Sequence, residues 1–311
     1  MTDRVAQLRA FYARFVASIG SARDPRIEHA FAAVPREPFA GPGPWSVLAF
    51  GPWESRPAHE SYVRTPNDDP AFLYQDTLIA LDAARGINIG EPGLHARCLD
   101  QLAPQEGETV LHVGAGSGYY TALLAHLVGP SGRVHAYEID PDLAGRAARN
   151  LSELPRVELH ARSGISDGLP EVDCIYVNAG ITQPSWAWLD ALRVGGRLMF
   201  PLQPLSGLGG MLLVTRPAMG SAWPARFVSR ATFIGCAGRQ NEVTSRNLVD
   251  AFSKGRVDAV RSLCLDGEPD ATCWCVGDDW WLSTKAPNEP DAATLKQCNC
   301  SPASRLLKRF A

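Results

Sequence analysis

The most constraining stretch of this chain is Thr109-Val110-Leu111-His112-Val113, a strand-like run that passes without a spacer into Gly114-Ala115-Gly116-Ser117-Gly118 and then into the apolar, helix-like segment 119–128. Bare glycine backbone between a strand and a helix N-terminus lets a nucleotide-like ligand approach amide groups that point outward. The same rhythm continues downstream. RVHAYEID reads as a strand, DLAGRAARNL as a helix, and VELHA, CIYVNAG and RLMFPL as further strands, with a helix expected upstream through Leu102. Strands alternating with helices of this length build right-handed crossovers and a parallel sheet covered on both faces. The expected fold is therefore α/β, a Rossmann-like doubly wound sheet with helices on both faces, plus a small C-terminal α+β extension.

Three divisions follow from the pattern. Residues 1–93 hold N-terminal helices, patterned on Val5, Leu8, Phe11, Phe15 and on Ile27, Ala30, Phe31, Val34, and then a Pro/Gly- and aromatic-rich loop with Phe39, Trp45 and Trp53. Residues 94–215 form the ligand-binding core. Residues 216–311 read as strands around one helix.

The glycine loop also excludes chemistries. A dinucleotide fingerprint begun at Gly114 needs a small residue at 119, which is tyrosine, and one begun at Gly116 needs it at 121, which is threonine. No P-loop motif occurs. Glu138, at the end of the next strand, is placed to accept from ribose hydroxyls, whereas Asp140 suits the N-cap of the helix that begins with Pro141. A net charge of −3 without a basic run argues against nucleic acid. No stretch approaches the roughly 18 apolar residues of a membrane span, and a cytoplasmic location is expected.

Taken together, Val34-Pro35-Arg36-Glu37-Pro38-Phe39, Gly86-Ile87-Asn88-Ile89-Gly90-Glu91-Pro92, the glycine loop with Tyr119 and Thr121, and Val194-Gly195-Gly196-Arg197-Leu198 through Pro201 resemble the protein-L-isoaspartate O-methyltransferases, in order, over residues 22–202. The resemblance implies a class I methyltransferase that binds S-adenosyl-L-methionine and methylates a peptide or protein carboxylate. It assigns Gly114, Ala115, Gly116, Gly118, Thr121, Glu138, Ile139, Ser163, Gly164 and Asn178 to the cofactor, and Asn88 and Gly90 to the acceptor site. A tailoring methyltransferase for an aspartate side chain or C-terminus of a modified peptide, and a noncatalytic cofactor-binding module, are the alternatives.

The chain departs from the family in three places. Arg162-Ser163-Gly164 stands where the family usually has Gly-Asp-Gly. His112 replaces an acidic residue, and as a lone histidine in an apolar strand it reads as a packed, hydrogen-bonded residue, as does His95. Gly90 stands where the family has a hydroxyl that contacts the acceptor carboxylate, so isoaspartyl methylation is expected to be weak and Gly90→Ser to raise it, unless Asn88 supplies the donor. No metal is expected. The pairs Cys273/Cys275 and Cys298/Cys300 offer four thiolates, but Cys-x-Cys in a strand sets the sulfurs about 7 Å apart, and buried reduced thiols are the reading for Cys98, Cys174 and Cys264.

Overall fold

The computed structural model describes residues 2–48, 62–237 and 240–287. Trp53, Cys298 and Cys300 lie outside them. Helices α1 (Thr2–Ile19) and α2 (Pro25–Ala33) pack against each other, α1 also against α4 (Pro92–Leu102) and α2 against α5 (Tyr119–Leu127). Asp24 caps α2 by accepting from the Arg26 N–H ahead of a helix that begins with proline. Val5 and Leu8 of the expected stripe pack against the core, but the buried face continues through Tyr12, Ala13 and Val16: Phe11 and Phe15 are 63% and 41% exposed and stack on each other at 5.9 Å. Short α3 (Glu37–Ala40) follows, then the hairpin β1 (Ser46–Leu48) with β2 (Tyr62–Arg64), and the hairpin β3 (Ala80–Asp82) with β4 (Ile87–Asn88) that leads into α4.

The core begins with β5 (Thr109–Val113), α5, β6 (Arg133–Tyr137), α6 (Pro141–Asn150), β7 (Val157–His160), β8 (Val172–Val177), α7 (Trp186–Ala191) and β9 (Leu192–Leu202). Strands β7, β6, β5, β8 and β9 pair in parallel in that spatial order. The sheet does not stop there. β10 (Gly209–Thr215), which the sequence rhythm did not reveal, returns antiparallel to β9. It is followed by β11 (Ala222–Ala231), β12 (Ser262–Cys264), β14 (Trp281–Ser283) and β13 (Cys273–Val276), all antiparallel. One ten-stranded mixed sheet results. The boundary placed at residue 216 therefore falls between hydrogen-bonded neighbours of a continuous sheet, and α8 (Glu242–Lys254) covers its antiparallel half through Leu248, Ala251 and Phe252.

Two apolar layers flank the sheet, one under α1, α2, α4 and α5, the other under α7 and α8. Cys98, Cys174 and Cys264 are buried free thiols within this packing. Arg36, from the Pro-Arg-Glu-Pro motif, is fully buried. It donates to the Leu73 and Gln75 carbonyls at 2.5 and 3.1 Å and lies over the rings of Tyr12 and Tyr119, tying the N-terminal helices to the start of α5. No described helix is long and apolar enough to cross a membrane.

Candidate active site

The ends of β5, β6 and β8 converge on the glycine loop, where two cavities share a wall. The larger, about 270 Å³, is lined by Gly114, Gly116, Glu138, Ile139, Ser163, Gly164 and Asn178, and the smaller, about 60 Å³, by Asn88, Gly90, His95, Ala115 and Tyr120. Gly114, Gly116 and Asn178 line both.

Glu138 is the organising group of the larger cavity. One carboxylate oxygen accepts from the Gly116 N–H at 2.7 Å and the other from the Asp140 N–H at 3.0 Å. Burial raises its pKa, partly offset by those backbone donors. The carboxylate keeps lone-pair capacity for a ligand hydroxyl. Asp140 caps α6, accepting from the Asp142 and Leu143 N–H groups, and pairs with Arg85 at 2.7 Å. That ion pair joins the β3–β4 turn to the end of β6 across the cavity mouth.

Not every expected residue reaches the cavities. Gly118 is the residue before α5, and its missing side chain makes room for Leu151. Thr121 is fully buried one turn into α5 and meets His112 Nδ1 at 2.8 Å instead. Conversely, the larger cavity has a wall that the sequence did not suggest, the segment 234–237, held by Gly180 N–H to the Ile234 carbonyl and Cys236 N–H to the Gly180 carbonyl, both 2.8 Å.

His112 sits under the loop with its other ring nitrogen 2.8 Å from Asn178 Nδ2, and burial pushes its pKa down to about 3. It is a neutral, doubly hydrogen-bonded imidazole where the family has an acid. Asn178 Oδ1, in contrast, is buried and has no partner among the described residues. An orphaned buried acceptor costs about 1–3 kcal/mol, and this one belongs to a residue shared by both cavities, so a ligand donor there would satisfy it.

His95 is the unexpected member of the smaller cavity. Its Nδ1 is 2.6 Å from the Tyr176 hydroxyl, its ring stacks on Tyr120 at 3.5 Å, and burial, with His112 and Arg36 nearby, drives its pKa well below the ordinary histidine range. A Cβ built on Gly90 would lie 2.4 Å from His95 Nε2. Gly90 also has φ +92°, a conformation that side chains resist. The expected gain from Gly90→Ser is thus corrected: the space of a hydroxyl-bearing side chain is already filled by imidazole. Asn88 is no free substitute. Its Oδ1 accepts from the Gly90 N–H at 2.8 Å and its Nδ2 donates to the Gly86 carbonyl at 3.1 Å, so it shapes the loop.

Two buried neutral histidines make stability pH-dependent in a defined direction. Below about pH 6.5 the unfolded chain binds protons that folded His112 and His95 refuse. Stability should therefore fall as the pH drops from 6.5 toward 3, by about 1.4 kcal/mol per pH unit for each fully refusing group. Urea unfolding at pH 7 and pH 5.5 checks this, and His112→Asn should flatten the slope. A slope unchanged in that variant would contradict the assignment.

The parallel half of the sheet, the glycine loop at the end of its first core strand and a carboxylate at the end of the next are those of a class I methyltransferase fold. Residues 58–239 match the family model for protein-L-isoaspartate(D-aspartate) O-methyltransferase (PCMT), and the chain belongs to that family. It is 33% identical over 215 residues to protein-L-isoaspartate O-methyltransferase 2 of Anaeromyxobacter sp., covering 66% of this chain and 76% of that one. It is 41% identical over 147 residues to the protein-L-isoaspartate O-methyltransferase of Aeropyrum pernix, covering 45% of this chain and only 55% of its relative's length. Among solved structures, one of a protein-L-isoaspartate O-methyltransferase superposes with a TM-score of 0.59 at 20% identity, over 90% of this chain and 88% of that one. A beta-aspartate methyltransferase (PCMT) structure from Plasmodium falciparum, in complex with S-adenosyl-L-homocysteine, gives 0.56 at 17% identity over 73% and 97%. At these identities the two structures establish the fold.

Proposed function

We propose that this chain transfers the methyl group of S-adenosyl-L-methionine to an isoaspartyl-type carboxylate of a peptide or protein, with the cofactor in the larger cavity and the acceptor in the smaller. The observation that carries this reading is the shared wall: Gly114, Gly116 and Asn178 border both cavities, so donor and acceptor compartments meet at the glycine loop. The residues fit the cofactor. A Cβ on Gly116 would meet nothing nearer than Leu81 at 3.7 Å, so bare backbone faces open space, and Glu138 and the orphaned Asn178 Oδ1 await donors. Glu138 would hold the ribose and Ser163, Gly164 and Ile139 the adenine end. When bound, the sulfonium supplies an activated methyl group.

The protein's task is then alignment. A carboxylate is already nucleophilic at neutral pH, so no general base is required, and the gain comes from in-line placement and exclusion of water. We assign the Tyr176 hydroxyl as the donor to Nδ1, the tautomer that leaves the proton of neutral His95 on Nε2, against Gly90 at the wall of the smaller cavity. His95 thereby offers the acceptor carboxylate the donor that the family's hydroxyl provides. His95→Ala should raise KM for an isoaspartyl peptide about tenfold to a hundredfold, the scale of one hydrogen bond to a charged group. Affinity for S-adenosyl-L-homocysteine should stay unchanged, and His95→Gln should recover part of the loss. An unchanged KM in a folded His95→Ala protein would remove His95 from the acceptor site.

A further inference from the structure

A second cluster of chemistry-bearing side chains lies outside both cavities, on the parallel edge of the sheet. His135 on β6 is paired in register with Glu158 on edge strand β7, and His160, two residues beyond Glu158, projects from the same face. His135 Nδ1 lies 3.3 Å from one Glu158 carboxylate oxygen, His160 Nε2 3.7 Å from the other, and the two ring nitrogens are 3.5 Å apart. From these positions we propose that His135, Glu158 and His160 form a binding site for a Zn²⁺-class divalent transition-metal ion.

The spacing is that of ligands before they close on an ion. Zn–N bonds of about 2.0–2.1 Å place two nitrogens of a tetrahedral site roughly 3.3–3.4 Å apart, against 3.5 Å here. Two imidazoles and a carboxylate are the donors that borderline divalent ions such as Zn²⁺, Ni²⁺ and Co²⁺ accept, and three protein ligands leave a coordination position for water. Metal binding needs neutral imidazoles. Both histidines are held below their ordinary pKa, first by burial and then, against the pull of Glu158, by His160 and Arg133 for His135 and by Arg162 for His160. Glu158 is 56% exposed, so an ion has a route in.

The position gives the ion a structural consequence. It would fasten β7, which among the described residues has one strand neighbour, to β6. The His160 ring stacks on Tyr137 at 4.5 Å, and the His160 carbonyl accepts from the Glu138 N–H at 3.1 Å. Tyr137 and Glu138 both line the larger cavity.

The test uses the full chain stripped with a chelator and titrated with Zn²⁺ by calorimetry and with Co²⁺ by absorption. One equivalent should bind, with visible Co²⁺ d–d bands and no intense thiolate charge-transfer band, which matters in a protein with eight cysteines. Replacing an outer-sphere partner of a metal typically costs 10–100-fold in affinity, so loss of a direct ligand in His160→Ala, His135→Ala or Glu158→Gln should cost at least about 100-fold. Glu158→Gln alters a half-exposed side chain, and unchanged affinity for S-adenosyl-L-homocysteine would certify its fold independently of any methyl transfer. No stoichiometric binding, binding that survives these substitutions, or a thiolate band would overturn the proposal.

Discussion

Gly116→Val should abolish cofactor binding while leaving the chain folded. Gly116 has φ +56° and its N–H donates to Glu138 at 2.7 Å, so this one residue supplies the left-handed turn, the open cradle and the clamp on the ribose carboxylate. A β-branched side chain resists that backbone conformation, at a cost of about 1–3 kcal/mol, and projects into space that both cavities share. Loss of affinity for S-adenosyl-L-homocysteine should exceed 100-fold by calorimetry, roughly 2.7 kcal/mol or more. Glu138→Ala attacks the same contact from the other side. It removes a charged acceptor and strands the Gly116 and Asp140 N–H groups, so it should weaken binding by about 1.5–3 kcal/mol. Wild-type affinity in a folded Gly116→Val protein would place the cofactor elsewhere.

Gly90→Ser should be the most damaging single change in the acceptor site, opposite to what the family pattern suggests. The serine Cβ would press on the His95 ring, 2.4 Å from Nε2 and 3.1 Å from Cδ2. His95 cannot swing aside cheaply, being buried between the Tyr120 ring and the Tyr176 hydroxyl. Backbone strain of about 1–3 kcal/mol and overpacking of about 1–3 kcal/mol predict a combined loss of roughly 2–6 kcal/mol in denaturant unfolding. Adding His95→Ala makes room, so the double variant should be more stable than Gly90→Ser alone, a coupling that a double-mutant cycle reads directly. Additive losses would mean that the imidazole does not occupy the serine's place.

These two residues also mark how far the sequence could be read. Gly116 and Glu138 were legible because a strand, a glycine loop and a carboxylate at the next strand end are local, ordered patterns. Gly90 was visible as a departure, but its compensation by His95 was not. That depends on a positive φ and on an imidazole one turn into α4 that folds back over the loop. Thr121 was assigned to the cofactor by position in a motif, whereas helix geometry turns it beneath the loop toward His112. In the second half, strands around one helix were legible past residue 216, but the buried run GGMLLVT has no alternation to announce an edge or a face, so β10 and the continuity it gives with the core sheet went unread. The wall at 234–237 went unread for the same reason, since residues past 216 were treated as an appendage. Along α1, the apolar spacing fitted two faces, and packing chose Tyr12 and Val16 over Phe11 and Phe15.

The measurement that bears most directly on the central claim is methyl transfer from S-adenosyl-L-methionine to matched peptides differing only in isoaspartate or aspartate at one site. The arrangement of His95 beside Gly90, with the glycine loop shared by both cavities, predicts a base-labile methyl ester on the isoaspartyl peptide, with little on the aspartyl one. A base-stable product, or cofactor binding without transfer to either peptide, would contradict it.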